Sequence, residues 1–236
     1  MIFNNVYDFG DISSLKLDGE IEGFQLRVDN FLAMTALDKE RTIVLTVQGH
    51  LLLLRCTLSN CLKQFCDLYH IRSYEMDAYY QQVQCRTQGL IAGNYRLVPS
   101  QGASNPHVVY YNAHFLDAKY YSEDLQRVLI IFKTEDGYYQ LQVDACFSSF
   151  VHILAAAEKV SAFQLKNLEE EMWRLGVKSE DKSSSDIFQC HRDALRFNDT
   201  IQSAVIHNVL ATAFENSYGQ KPDDDFSNSV ADIINN

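Results

Sequence analysis

The residue types best suited to chemistry cluster in one stretch of the chain, which contains Cys61, Cys66, His70 and Cys85. Thiolate and imidazole are ligands that zinc prefers, and Cys66 and His70 lie one turn apart on a predicted helix. The spacing of the four residues matches no compact ligand pattern, and cysteines beside Leu and Phe are ordinary core residues. We therefore predict no bound metal, with a zinc site as the alternative.

Other catalytic motifs give weaker signals. His107 or His114 could activate a cysteine, but no local signature pairs either histidine with one. The glycines at Gly89, Gly93 and Gly102 form no phosphate-binding loop, no dinucleotide fingerprint follows a strand, and the H-E-x-x-H motif does not occur. The sequence therefore predicts a protein that is not an enzyme and that needs no cofactor.

The charge distribution bears on what the protein could bind. The chain has 20 basic and 31 acidic residues, and its net charge of −11 argues against a molecule that is basic all over. The acid is concentrated at the two ends, whereas residues 41–150 carry nine basic and nine acidic side chains. From Arg86 to Leu116 there are two arginines, two histidines and no carboxylate. A locally positive surface is therefore predicted inside an acidic molecule.

The cysteines and the apolar runs bear on the location of the protein. Most of the six cysteines lie in apolar runs, and the start MIFNNVYDFGD lacks the basic residues and apolar core of a secretory signal. The longest apolar run, Leu51 to Leu54, falls far short of the roughly 20 residues that span a bilayer. We expect a reduced, cytoplasmic protein without a membrane span.

Several segments rich in β-branched and aromatic residues predict an antiparallel sheet. They form two hairpins and two single strands: residues 42–56, 95–98, 107–112 and 128–144. Gly49 and Gly137 allow the tight turns that the two hairpins need. We predict irregular structure for the polar piece from Asp117 to Gln126 and for the acidic residues 1–40.

Helical spacing of apolar residues predicts the remaining elements. After Thr57 and after Ser73 the pattern fits two helices or one broken helix. Further predicted helices are a long one capped by Ser148 and Ser149 and ending at Gly176, and two more over residues 187–197 and 201–214. Because strands and helices are segregated without βαβ alternation, we predict an α+β fold: an antiparallel sheet built from hairpins, covered by helices, with a C-terminal helical extension.

The centre of the chain resembles the ComK family of competence transcription factors from Gram-positive bacteria. The piece CDLYHIRSYEMDAYY is similar to the family's C-x-x-Y/F-G-S-S-Y-E-G-R element after a one-residue gap. RTQGLIAGNYRLVPSQGASNPHVVYY resembles its Pro-ended and aromatic strands, with Pro99 and Ser100 at the Pro-Thr position and Tyr110 at the tryptophan. LIIFKTEDGYYQLQVDACFSSFVHILAAAE resembles the family's hairpin, which leads into a Ser-Phe helix start, here Ser149 and Phe150.

The resemblance divides the chain and also departs from the family's pattern. It covers roughly residues 41–160, which are predicted to form a ComK-like α+β core. An acidic extension (1–40) precedes this core. A C-terminal helical region (161–218) and an acidic tail expected to be disordered (219–236) follow it. Three positions that are basic in the family are occupied by other residues, namely Asp77, Gln88 and Ala156.

The resemblance implies a transcriptional activator of competence and DNA-uptake genes. Such a protein binds A/T-rich boxes through the minor groove as an oligomer and is removed by an adaptor and the Clp protease. Minor-groove readout requires a few Arg or Lys side chains inserted where the groove is narrow. The sequence offers seven DNA-binding candidates: Lys63, Arg72, Arg86, Arg96, His107, Lys119 and Arg127.

The acidic charge and the three changed positions also support a second hypothesis. A ComK-like protein-interaction module could have lost DNA binding and act by pairing with another protein. The helices from Ser149 to Gly219 would then carry the contact.

Overall fold

The structure is a computed structural model that describes residues 5–174 and the isolated positions 205, 208, 209, 211, 212 and 215. Several predictions lie outside these residues: the helix end at Gly176, the helix over 187–197 and the disordered tail over 219–236. The described positions from 205 to 212 are helical, as predicted for residues 201–214.

The described residues form eleven strands and three α-helices. In chain order the strands are β1 Asn5–Asp8, β2 Gly19–Ile21, β3 Phe31–Ala36, β4 Thr42–Thr46, β5 Leu51–Leu54, β6 Leu90–Ala92, β7 Tyr95–Pro99, β8 Val109–Asn112, β9 Leu116–Ser122, β10 Arg127–Thr134 and β11 Gly137–Val143. The helices are α1 Leu58–Leu68, α2 Ser73–Gln82 and α3 Phe147–Arg174. The predicted α+β class, with antiparallel strands and a long C-terminal helix, is confirmed.

The strands form two sheets, where the sequence analysis expected one. A seven-stranded sheet has the order β2-β5-β4-β3-β8-β7-β6, and a four-stranded sheet has the order β1-β11-β10-β9. Adjacent strands are antiparallel except in the pairs β2–β5 and β1–β11. The predicted 128–144 hairpin forms β10 and β11, and it therefore lies in the smaller sheet.

The expectation of irregular structure in residues 1–40 is wrong for β1, β2 and β3, and the last of these strands belongs to the core. This strand lies at the centre of the seven-stranded sheet, between β4 and β8, and five of its six residues are buried. A strand that is covered on both faces shows no alternation of apolar and polar residues. The period-2 signal was therefore absent, although the strand belongs to the core.

The expectation of irregular structure from Asp117 to Gln126 is also wrong, because β9 covers most of that piece. This strand is at an edge of the four-stranded sheet, and its residues are all exposed or half-buried. Its register against β10 shifts between Ile131 and Phe132, so Asp117 is the extra residue of a bulge. Exposure and the bulge together remove the alternation that predicts a strand.

The two predicted helices after Thr57 and Ser73 are separate. The Thr57 side chain accepts a hydrogen bond from the Asn60 N–H at 3.1 Å and caps α1. The helix ends with His70 in the left-handed conformation, at φ +55°, and with a hydrogen bond from the Ile71 N–H to the Cys66 carbonyl. This is the Schellman arrangement, which stops the helix before α2 begins.

The long helix α3 begins at Phe147, slightly earlier than predicted. The Phe150 N–H donates to the Cys146 carbonyl at 2.9 Å, which places Cys146 at the N-cap position. Ser148 and Ser149, which were predicted as caps, are therefore inside the first turn.

The chain divides into two compact units. The first contains residues of Met1–Ile71 and Cys85–Ser161, and the second contains residues of Arg72–Gln84 and Ala162–Asn236. In the first unit, α1 covers one face of the seven-stranded sheet through Cys61 and Phe65. On the other face, the rings of Tyr111 and Phe150 are stacked 5.2 Å apart, which fixes the start of α3. In the described part of the chain, no helix is both long enough and apolar enough to cross a membrane.

Candidate nucleic-acid interface

The arginines of residues 5–174 divide into two groups of four. Four form ion pairs: Arg27 with Asp29, Arg41 with Asp38, Arg55 with Glu20 and Glu22, and Arg174 with Glu170. The other four are candidates for DNA binding and take part in no ion pair of the described residues: Arg72, Arg86, Arg96 and Arg127. The arginines that form no ion pair in residues 5–174 are therefore all DNA-binding candidates.

Three candidates project from the surface of the first unit. Lys63 lies on the exposed side of α1, and Arg86 lies in the segment that leads to β6. His107 precedes β8, and its backbone N–H donates to the Asn105 side-chain oxygen at 2.9 Å. The side chains of Lys63 and Arg86 can reach phosphates without breaking an ion pair of the described residues.

Arg96 is half-buried, because of its position in β7. It lies opposite Ile91 and on the same face as Val98, which is the face that carries Tyr111 and α3. One terminal nitrogen donates to the Ala113 carbonyl at 3.5 Å, and the buried Nε has no hydrogen-bond partner. The Arg96 side chain is therefore held against the sheet. To enter a DNA groove, it would have to leave this position.

Arg127 and Lys119 belong to the four-stranded sheet and do not form one cluster. Lys119 pairs with Ile130 and shares its face, whereas Arg127 lies three residues away on β10 and so on the opposite face. The guanidinium of Arg127 occupies the space above Gly10, where an added Cβ would lie 1.5 Å from its Nη1 atom. Arg127 is thus covered by the N-terminal segment.

Arg72 belongs to the second unit. It immediately precedes α2, and its Nη1 donates to the Tyr74 hydroxyl at 2.6 Å. Its guanidinium carbon also lies 5.9 Å from the centre of the Tyr74 ring. The structure therefore spreads the seven candidates over both units, with Lys63, Arg86 and His107 the most exposed of them in the first.

Pairs of consecutive tyrosines, at positions 79/80, 110/111, 120/121 and 138/139, offer rings that could stack on bases, but half of these rings are in the core. Tyr80, Tyr110, Tyr111 and Tyr139 are buried. In the pair on β9, by contrast, Tyr120 is 43% exposed and Tyr121 is 37% exposed. A row of rings that was not predicted from the sequence joins residues of four places in the fold: Phe65 of α1, Tyr69 just after α1, Tyr95 of β7 and His114 between β8 and β9. These residues are far apart in sequence, so no local pattern could reveal the row.

The cysteines differ sharply in their environments. Burial raises the pKa of Cys61, a core residue, to about 12 and also raises the pKa of half-buried Cys66, so both thiols are protonated. A hydrogen bond from Ser148 is the main reason that the pKa of exposed Cys146 is lowered to about 7. In the described residues, no three side chains of the His, Cys, Asp or Glu types come together as a metal site would require.

These features define an α+β protein with two sheets and a scattered set of cations outside ion pairs. Comparisons of the chain with protein-family models, with curated proteins and with solved structures each found no match.

Proposed function

We propose that this protein is a cytoplasmic, ComK-like transcriptional regulator that activates competence genes by binding A/T-rich boxes in the minor groove as an oligomer. The proposal assigns it no enzymatic activity. The observation that carries it is the division of the arginines, because the four that form no ion pair in residues 5–174 are all DNA-binding candidates.

The exposed candidates are the ones to which we assign phosphate or groove contacts. Lys63 and Arg86 offer full charges at the surface, and Arg86 begins the stretch that lacks carboxylates. Arg96 and Arg127 contribute their charge to the local field, since their side chains are held within the protein. Few contacts per protomer make an oligomer necessary, because each neutralised phosphate adds only a modest share of the affinity.

Binding to a labelled A/T-rich duplex, compared with a G/C-rich duplex over a salt series, tests the proposal. We expect A/T-selective binding that weakens as salt rises. Replacing Lys63 and Arg86 together by Ala should reduce the slope of log K against log salt by up to about 1.8, at about 0.9 per lost contact. The matched control is Arg27→Ala, which removes an exposed but ion-paired arginine and should leave the slope unchanged. Absence of binding at low salt would reject DNA recognition.

A protein-interaction module is the second candidate function, and exposed apolar residues on α3 favour it. Leu168 is 53% exposed and Met172, one turn further along the helix, is 43% exposed. Apolar residues at this spacing are typical of helices that dock onto a partner. A Clp adaptor is the partner that the family resemblance suggests.

The test of this second function measures degradation by a purified Clp protease with its adaptor. If α3 carries the contact, Leu168→Ser with Met172→Ser should slow degradation. Unchanged degradation would remove this face of α3 from the adaptor contact.

A further inference from the structure

We infer that the outer edge of β9 pairs with β9 of a second copy, in antiparallel orientation about a two-fold axis. The two sheets have four edge strands, and three of them are short: β2 and β6 have three residues each and β1 has four. The fourth, β9, has seven. Short edge strands, charged side chains and bulges protect a sheet against pairing with another chain, whereas a long edge invites it. Because β9 carries Asp117, Lys119 and a bulge, its pairing requires a partner strand whose charges complement these two residues.

The exposure of β9 also favours pairing with a second copy. No strand of the described residues pairs with its outer side, and none of its seven residues is buried. Tyr120 and Tyr121, at 43% and 37% exposed, are among the most exposed aromatic residues of the described chain. Pairing of two such edges would satisfy backbone donors and acceptors and would cover these rings.

Among registers with the two-fold axis at residues 117 to 120, the charges on β9 favour one. A two-fold axis that relates two antiparallel strands passes through a residue and its own copy. An axis at Asp117 or at Lys119 would place like charges opposite each other, which is unfavourable. An axis at Ala118 places Asp117 of each copy opposite Lys119 of the other, giving two ion pairs.

The next register is less favourable for the same reason. An axis at Tyr120 would leave Lys119 opposite Tyr121 and would bring Asp117 opposite Glu123 of the second copy. Asp117 is moreover the extra residue of the bulge, and it faces no residue of β10 within its own sheet. Its carboxylate is thus available to a lysine of the second copy.

This dimer deepens the proposed function, because it supplies the oligomer on which that function depends. It also assigns Lys119 to the interface between copies, rather than to DNA. Sedimentation of the chain without DNA measures the dimer alone, so failure of the dimer and failure of DNA binding can be told apart.

A charge swap on the full chain tests the inference by sedimentation equilibrium over a concentration series. The wild type should dimerise. Asp117→Lys alone and Lys119→Asp alone each turn the two attractive pairs into repulsive ones, and each should raise the dimer dissociation constant by at least about tenfold. The double variant restores the pairs in reverse order and should regain dimerisation. A monomeric wild type, or single variants that dimerise as well as the wild type, would overturn the inference.

A disulfide tests the register and does not depend on the charge variants folding well. In a Cys146→Ser background, which removes the exposed thiol, Ala118→Cys places two cysteines directly opposite each other across the axis. Opposed residues in antiparallel strands have Cα atoms about 4.5–5.5 Å apart, which a disulfide can span. Ala118→Cys should therefore form a covalent dimer on mild oxidation, whereas Tyr120→Cys should not. Crosslinking of Tyr120→Cys alone would overturn the assigned register.

Discussion

Replacing Gly49 by alanine should strongly destabilise the protein, because this turn touches the second sheet. Gly49 connects β4 to β5 with φ at +83°, and its carbonyl accepts a hydrogen bond from the Tyr7 hydroxyl. A Cβ added here would lie 2.5 Å from a ring carbon of Tyr139 and 3.0 Å from the Tyr7 oxygen. Both rings are buried in the four-stranded sheet, on β11 and β1, and cannot simply turn away.

The size of the effect follows from two contributions. An alanine in the left-handed region costs roughly 1–2 kcal/mol relative to its preferred conformations. Forcing extra volume against packed side chains costs typically about 1–3 kcal/mol. The free energy of unfolding of Gly49→Ala should therefore fall by about 2–5 kcal/mol, which equilibrium urea unfolding measures directly.

Two other glycines separate these contributions. Gly23 has φ at +76° with no atom within 4 Å of an added Cβ. Gly23→Ala should therefore lower the free energy of unfolding only by the cost of the left-handed backbone, roughly 1–2 kcal/mol. Gly19 also has open space but no positive φ, so Gly19→Ala should change stability little. If Gly49→Ala lost no more stability than Gly23→Ala, the close contact between the turn and the second sheet would be refuted.

Two further predictions concern α1 and the start of α3. Alkylation of Cys146 should rise with pH around a midpoint of about 7, because the thiolate is the nucleophile, while Cys61, with a pKa of about 12, should remain unreactive in the folded protein. Mass spectrometry after timed labelling distinguishes the two sites, and an equal rate at both would contradict their assigned environments. His70→Gly should stabilise the protein by about 1 kcal/mol in urea unfolding, because His70 ends α1 at φ +55° and glycine adopts that conformation without strain. A loss of stability would mean that contacts of the His70 side chain stabilise the protein by more than its left-handed backbone destabilises it.

The elements that were predicted correctly are those specified by neighbouring residues. The β4–β5 and β10–β11 hairpins depend on tight turns, and α1 depends on the Thr57 cap. By contrast, β1 pairs with β11 in parallel over residues more than 130 positions apart, a contact that no local pattern encodes. The division into two sheets rests on such pairings, which is why the sequence suggested a single sheet.

For the candidate interface as well, the sequence could not predict contacts that depend on the pairing of distant strands. Sequence alone located the stretch without carboxylates and the seven candidates within and around it. It could not show that Arg55 reaches Glu20 and Glu22, because that contact depends on the parallel pairing of β2 with β5. Nor could it show that Arg96 lies on the face of the sheet that packs against α3, since this depends on strand register.

The net charge of −11 and a DNA-binding role are compatible if charge is considered locally. Arg27, Arg41 and Arg55 are each paired with carboxylates of residues 18–40, so much of the basic charge near that acidic segment is already compensated. The arginines without ion pairs lie between Arg72 and Arg127, and the stretch from Arg86 to Leu116 within this range contains no carboxylate. The basic part of the surface therefore attracts the DNA backbone and the acidic part repels it. This difference orients the protein as it approaches the duplex. Pairing of two copies through β9 would double the number of basic side chains that one duplex can contact. Lys119 would not be among them, because it lies in the interface between the copies. Affinity for DNA is thus linked to dimerisation.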